Sequence, residues 1–378
     1  MSGIYIHIPF CKQACHYCDF HFSTSVKKKD EMMVALCHEI ELRSSEIKDN
    51  NFIQTIYFGG GTPSVLSVDE LSKIIDTVYK NYTVSKDVEI TIEANPDDLT
   101  HEKIEALAKS KVNRLSIGVQ SFFEEDLRLM NRAHDVKEAI NCLSVATHYF
   151  DNISIDLIYG IPNMSIEHWK QNIQYALDLG IPHISCYALT VEPNTALPKL
   201  IEKGEIPPVD DVLAQKHFEV LVETLENKGF VHYELSNFGK EGFFSKNNTA
   251  YWQGKHYLGI GPSAHSYNGK QRSWNINNNA KYIKAIQQNQ FPREIENLTP
   301  TDQYNEYIMT GLRTIWGVSL QKIETEFGKT FKQYLLKQAQ KHIEEHLLFL
   351  DNDTLLVTKK GKFLSDGIAS DLFLVNLG

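Results

Sequence analysis

The chain has 378 residues, 42% hydrophobic and 23% charged, enough to bury the core of one large or two to three ordinary soluble domains. Its formal net charge of -10 leaves no basic block to neutralise phosphates, which argues against nucleic-acid binding. No apolar run reaches the ~18 residues of a membrane-spanning helix, and no charged-then-apolar leader is visible. The sequence therefore predicts a cytoplasmic protein with no integral membrane segment. Its six cysteines are too few and too clustered for a disulfide scaffold.

The first stretch, IYIHIPFCKQACHYCDF, begins as an apolar strand at 4–8 and runs into Cys11, Cys15 and Cys18, spaced C-x3-C-x2-C. Three thiolates on one short loop hold three corners of a [4Fe-4S] cube and leave one iron free for a small ligand. Electron-transfer clusters use four cysteines instead. Zinc, with His7, His16 or His21 as fourth ligand, satisfies the same residues, although zinc sites usually pair cysteines on two separate loops.

Further β-branched runs fall at 53–58, 88–93, 113–119, 152–158 and 183–189, with amphipathic patterns between them. Met33, Leu36, Cys37 and Ile40 share one helix face. Ser67 with Glu70 forms a capping box ahead of Leu71, Ile74, Ile75 and Val78, and Asp135 with Glu138 and Ser165 with His168 mark further helix starts. Cys37, Cys142 and Cys186 fall on apolar faces and read as small core residues. Lys27, Lys28 and Lys29 read as a solvated loop.

Six strands alternating with helices predict parallel β-α units with right-handed crossovers, short of the eight that close a (β/α)8 barrel. In such folds chemistry lies beyond the carboxyl ends of the strands. Polar residues gather there: the cysteine loop after the first strand, Gly59-Gly60-Gly61-Thr62-Pro63 after the second, Glu93 and Asn95 at the third, Gln120 at the fourth and Asp156 in the fifth. The glycines alone serve equally well as a tight turn, Glu93 as a backbone cap, Arg132 as a surface ion pair and Tyr5 as barrel lining.

Prolines at 193, 198, 207 and 208 punctuate the end of this region, and a helix follows from Leu213 to Leu225, ending at Gly229. The stretch SKNNTAYWQGKHYLGIGPSAHSY is too rich in Tyr, Trp, His, Asn and Gly for simple core. From Thr299-Pro300 helices dominate, with Tyr307, Ile308, Leu312 and Ile315 as core positions. Segments 320–327 and 331–346 continue them, and LLFLDNDTLLVT forms a hairpin about Asp351-Asn352-Asp353. These divisions predict a barrel at 1–200, a connecting and barrel-covering region at 201–295, and a small helical, winged-helix-like domain at 296–378. The last lacks the basic charge of a DNA binder.

C-x3-C-x2-C after a first strand resembles the radical S-adenosylmethionine (radical SAM) superfamily. YIHIPFC, CDF and GGGTP resemble its oxygen-independent coproporphyrinogen III oxidase branch, and within that the HemW-type heme chaperones. The resemblance extends over nearly the whole chain. It implies an α/β fold, a partial (β/α)6 TIM-like barrel, and a [4Fe-4S] cluster on Cys11, Cys15 and Cys18. It implies S-adenosylmethionine held through its amino group by the backbone at Gly60, Gly61 and Thr62. Glu93, Gln120, Arg132 and Asp156 would hold its carboxylate or ribose hydroxyls, and Tyr5 and Tyr17 would line it near the cluster. One-electron cleavage of the sulfonium, chemistry that belongs to the cofactor, would need a donor such as flavodoxin or ferredoxin.

The implied partners of a chaperone are heme and heme-accepting proteins. The block Asn247-Asn248-Thr249-Ala250-Tyr251-Trp252 resembles an HNxxYW motif with Asn247 in place of histidine, so the axial heme ligand is open among His232, His256 and His265, each equally readable as a packing histidine. The alternative function is the oxidase itself, a radical decarboxylation of propionates in porphyrin biosynthesis. Those enzymes carry a fourth cysteine where this chain has Phe20, and a longer N-terminal arm than the ten residues preceding Cys11 here. Both departures favour the chaperone and predict no oxidase activity. A third reading is a SAM-dependent enzyme acting on another tetrapyrrole or small substrate.

Overall fold

A computed structural model describes residues 2–47 and 52–375 of the chain. Six parallel strands form its centre: β1 (Ser2–Ile8), β2 (Ile53–Gly60), β3 (Val84–Ala94), β4 (Arg114–Gln120), β5 (Ile153–Tyr159) and β6 (His183–Ala188). Each pairs with the next in register, Ile6 opposite Phe58 and Asp156 opposite Ser185 for example. Helices α1 (Lys29–Leu42), α2 (Val68–Asn81), α3 (His101–Ala108), α4 (Glu124–Leu129), α5 (Val136–Tyr149) and α6 (Ile166–Asp178) lie between the strands in sequence.

Period-two alternation gives each strand two buried faces. Ile4, Ile6 and Ile8, Ile56 and Phe58, Ile90 and Ile92, and Leu115, Ile117 and Val119 are apolar and closed to solvent. Burying each contributes on the order of 1.5–3 kcal/mol. The alternate positions are polar: Tyr5 and His7, Tyr57, Glu93, Ser154 and Asp156. They face one another across the concave side, where the Tyr57 hydroxyl donates to Glu93 Oε1 at 2.8 Å and Ser154 Oγ lies 2.6 Å from His183 Nδ1. A fully parallel sheet covered on both faces would read as continuous apolar runs; this one keeps a polar interior.

The expected caps are present. Ser67 and Glu70, and Asp135 and Glu138, close reciprocal capping boxes at the starts of α2 and α5, while Ser165 accepts from the His168 N–H without a reciprocal bond. Lys29 opens α1 instead of lying in a loop, and its Nζ reaches Glu70 at 2.9 Å. Cys142 and Cys186 are core residues; Cys37 is only half-buried, because it sits at the margin of its helix face.

Residues 231–297 lengthen the sheet at both edges. β7 (Val231–Glu234) and β8 (Asn237–Gly239) add antiparallel beyond β6. β9 (His256–Ile260) lies parallel to β1 on its other side, followed by β10 (His265–Tyr267), β11 (Gln271–Asn275) and β12 (Arg293–Asn297). The sheet therefore has twelve strands, and this segment, expected to connect and cover, extends its walls. One hydrophobic core runs from Ile4 to Ile286; a second, from Tyr304 to Leu372, belongs to the C-terminal helices and the three strands β13 (Val318–Ser319), β14 (Leu348–Asp351) and β15 (Thr354–Val357). The hairpin turns at Asn352, with φ 53°. Ile308 and Leu312 are buried in that second core and Tyr307 partly so. Ile315 is 43% exposed, because the helix Pro300–Leu312 stops before the spacing reaches it.

Candidate functional site

The cysteine loop leaves β1 at the carboxyl end of the barrel and is fixed by a second loop, residues 129–132. The His16 N–H donates to the Met130 carbonyl at 3.1 Å and its Nδ1 to the Leu129 carbonyl at 2.8 Å. Gln13 reaches the carbonyl of Asn131 at 2.9 Å, and Asn131, held at φ 55°, donates back to the Ala14 carbonyl at 2.8 Å. Each turn of the cysteine loop is thus pinned from outside.

Donors meet the sulfurs. The Thr62 hydroxyl donates to Cys11 Sγ and Arg132 Nη1 to Cys15 Sγ, each at 3.3 Å. Burial pushes the Cys11 thiol up to about 11, opposed by the Thr62 hydrogen bond and reinforced by Cys18 and Cys15. Burial likewise raises Cys18. Ionising the buried Cys11 and Cys18 thiols requires a cationic centre beside them, the demand that an iron–sulfur cube meets. Among the described residues no three His, Cys, Asp or Glu side chains are grouped for a single metal ion. The proposed fourth zinc ligands are partly engaged: His7 Nε2 with the His21 carbonyl at 2.8 Å, His16 as above, and His21 Nε2 with Asn279 Oδ1 at 2.8 Å.

The glycine loop lies directly against this one. The Gly61 N–H donates to the Ile8 carbonyl at 2.9 Å and the Thr62 N–H to the Phe10 carbonyl at 2.7 Å. Gly60 sits at φ 103°, and a Cβ there would collide with the His7 ring; a Cβ on Gly61 would approach the Ile8 and Phe10 carbonyls to 2.7 Å. Glycine is required here for close packing of two loops, whatever else approaches them.

Arg132 links the two halves. Its Nη2 donates to Asn95 Oδ1 at 2.7 Å and to the Gly118 carbonyl at 2.9 Å, and Nη1 lies 3.4 Å from the Tyr17 hydroxyl. Asn95 in turn donates to the Thr62 hydroxyl at 3.4 Å. Asn95 carries no role by resemblance, yet it joins Arg132 to Thr62; its place two residues after Glu93 at a strand end was the available signal. The Gly118 carbonyl is turned toward Arg132 by a bulge between Ile117 and Gln120, where Gln120 adopts φ 69°.

Glu93 and Asp156 face the barrel interior. Burial pushes Glu93 up to about 7, opposed by the Tyr57 hydrogen bond and reinforced by Asp156. Burial pushes Asp156 up to about 6 against hydrogen bonding from Ser185 and the pull of Arg114. Two buried carboxyls raised toward neutrality on one interior wall mark it as a candidate polar binding surface.

Beside this cleft lies a cavity of about 430 Å³, lined by Tyr5 and His7 of β1, by Asp19, Phe20 and His21 at the end of the cysteine loop, and by Tyr251, Tyr257 and His265. Phe20 is 73% exposed. His256 also lines the cavity. His232 does not: it is stacked 4.1 Å from Phe238, with Nε2 on the Leu235 carbonyl at 3.0 Å and Nδ1 facing Lys362 Nζ at 2.8 Å. It is a packing histidine.

Among the described residues no helix is long and apolar enough to cross a membrane. Residues 5–176 match the Radical SAM superfamily and residues 298–364 the HemN C-terminal domain. The chain is 35% identical to the heme chaperone HemW of Bacillus subtilis, over 97% of this chain and 98% of that protein. It is 35% identical to HemW of Lactococcus lactis, over 99% and 97%. It is also 30% identical to the mouse mitochondrial radical S-adenosyl methionine domain-containing protein 1, over 97% and 86%. In fold it is similar to coproporphyrinogen III oxidase (HemN) of Escherichia coli, with TM-score 0.85 over 98% of this chain and 90% of that one at 24% identity. Membership of the superfamily implies a [4Fe-4S] cluster and S-adenosylmethionine. With its barrel, its cysteine loop and full-length relatives of this kind, the chain belongs to the HemW-type branch of the radical SAM superfamily.

Proposed function

We propose that this protein is a heme chaperone: it binds a [4Fe-4S] cluster, S-adenosylmethionine and heme, and passes heme to acceptor proteins in the cytoplasm. The observation that carries the reading is the end of the cysteine loop, where Phe20, in place of a fourth cysteine, lines a tyrosine- and histidine-walled cavity of about 430 Å³.

In this reading Cys11, Cys15 and Cys18 ligate three irons, with Thr62 and Arg132 donating to the sulfurs. Gly60, Gly61 and Thr62 present backbone to the amino group of S-adenosylmethionine, and Arg132 and Gln120 stand by its carboxylate. Glu93 and Asp156 stand by the carboxylate or the ribose hydroxyls, and Tyr5 and Tyr17 line the cofactor near the cluster. Bound together, cluster and S-adenosylmethionine supply one-electron chemistry when a flavodoxin or ferredoxin delivers the electron. Full-length similarity to the two heme chaperones supports heme as cargo.

The test is a paired anaerobic assay on reconstituted protein: a heme titration followed by Soret absorbance, and incubation with coproporphyrinogen III and S-adenosylmethionine. The expected result is one heme per chain and no product above a cluster-free control. Product formation supports the oxidase reading instead.

A further inference from the structure

We propose that His265 supplies the axial ligand to heme iron in this chain, taking the part for which residue 247 offers only an amide. The proposal rests on the heme reading above and concerns which atom meets the metal.

Asn247 is already engaged. Its Oδ1 accepts from the Thr55 hydroxyl at 3.0 Å, and its backbone N–H donates to Glu89 Oε1 at 3.1 Å. Heme iron in proteins takes imidazole, thiolate, thioether or phenolate; a carboxamide held by a threonine is none of these.

Four imidazoles line the cavity, and three are disfavoured. His7 has both nitrogens occupied, Nε2 by the His21 carbonyl at 2.8 Å and Nδ1 by the Tyr5 hydroxyl at 3.4 Å. His21 is tied through Nε2 to Asn279 at 2.8 Å. His256 pairs with Ser2, at the end of β1 away from the cysteine loop. The phenols are also poor candidates: Tyr257 donates to the Tyr251 hydroxyl at 3.1 Å, and burial raises its pKa, which keeps it protonated.

His265 differs in each respect. It makes no side-chain hydrogen bond among the described residues and is exposed to the cavity. Its backbone abuts Gly259, which pairs with Tyr5, so it stands level with Tyr5 midway along the wall. Its ring is stacked on Trp274 across the β10–β11 pair, with centroids 5.9 Å apart and planes at 29°. That contact fixes the ring plane while leaving the nitrogens free. The stacked pair Tyr251 and Tyr257, with centroids 4.8 Å apart, offers a flat aromatic wall for a macrocycle, and Lys255 at the rim offers a cation for a propionate.

The test is anaerobic heme titration of the full-length protein, read by Soret absorbance and electron paramagnetic resonance, with His265→Ala, His256→Ala and His21→Ala. His265→Ala is expected to lose the histidine-ligated spectrum and to weaken binding by about tenfold or more, at least the cost of removing an outer-sphere partner from a metal site. Added imidazole should restore the spectrum, which shows the variant to be folded, and the other two variants should keep it. An unchanged spectrum in His265→Ala with wild-type heme bound overturns the assignment and leaves the chaperone reading standing, as does loss of the spectrum in His256→Ala or His21→Ala alone. A wild-type protein that takes no heme overturns both.

Discussion

The two walls of the cleft are built differently. On the cysteine side the polar groups are densely linked: Arg132 alone meets Asn95, Gly118, Cys15 and Tyr17. On the cavity side the wall is made of tyrosines, histidines and an exposed Phe20, and His265 makes no side-chain hydrogen bond among the described residues. A site prepared for a resident cofactor gains from groups locked in place before the ligand arrives. A site for cargo that must leave again gains from fewer fixed contacts. The two walls meet at Tyr5, which lines the cavity and stands beside the cysteine loop, so the scaffold sets a densely bonded site against a more open one.

The largest effect is expected from removing the thiols. Cys11→Ala, Cys15→Ala or Cys18→Ala is expected to abolish the cluster absorbance on anaerobic reconstitution, while the Soret titration with heme persists. If heme binding disappears with the cluster, the walls are one site.

Next in size is Arg132→Ala. Removing a buried guanidinium that makes charge-assisted bonds costs about 1.5–3 kcal/mol per partner left unmet. The same change removes the cation proposed to meet the S-adenosylmethionine carboxylate, so affinity should fall by at least tenfold in calorimetry, with the cluster still formed. Unchanged affinity refutes its role.

Glu93 sharpens the account through pH. Its carboxyl sits at about 7 in the folded protein against an ordinary 4.5, so it favours folding below pH 4.5, and that contribution is lost as pH rises through about 7. At 1.36 kcal/mol per unit, the difference has a ceiling of about 3 kcal/mol. Ligand-free Glu93→Gln should lose less stability than wild type between pH 5 and 8, measured by denaturant unfolding. Identical pH slopes contradict the shift. Buried His7, held down to about 4, acts in the opposite direction: its contribution is lost as pH falls below the ordinary 6.5 toward 4, so the difference between wild type and variant isolates the carboxyl.

The smallest effect is expected at the glycine loop. Thr62→Val deletes the donor to Cys11 but keeps the shape, and should shift the cluster's reduction potential while leaving assembly intact. An unaltered potential shows that the hydroxyl plays no part.

Much of this architecture was legible in the chain. Each of the six central strands falls within a few residues of an apolar run, because burial against helices demands Ile, Leu and Val at alternate positions whatever the neighbours. The boxes at Ser67 and Asp135 were readable for the same local reason: a cap is decided by residues three apart. The placement of β9 beside β1 was not readable, since HYLGI carries no mark of a partner some 250 residues away. β12, REIEN, has four exposed residues of five and no apolar run at all. Ile315 misled because helical spacing was extended past the end of the helix. In the site, the cysteines and Arg132 were singled out by resemblance, and the structure brings Arg132 to Cys15. Asn95 and the loop at 129–132 were not, because Asn95 acts by hydrogen bonds to side chains distant in sequence and the loop by bonds to the backbone of the cysteine loop.

The most direct measurement is the electron paramagnetic resonance spectrum of reduced, reconstituted protein before and after adding S-adenosylmethionine. The expected result is a [4Fe-4S] signal that shifts on addition, because three cysteines would leave one iron for the methionine end to bind. Zinc at stoichiometric amount, or a cube signal indifferent to S-adenosylmethionine, would contradict it.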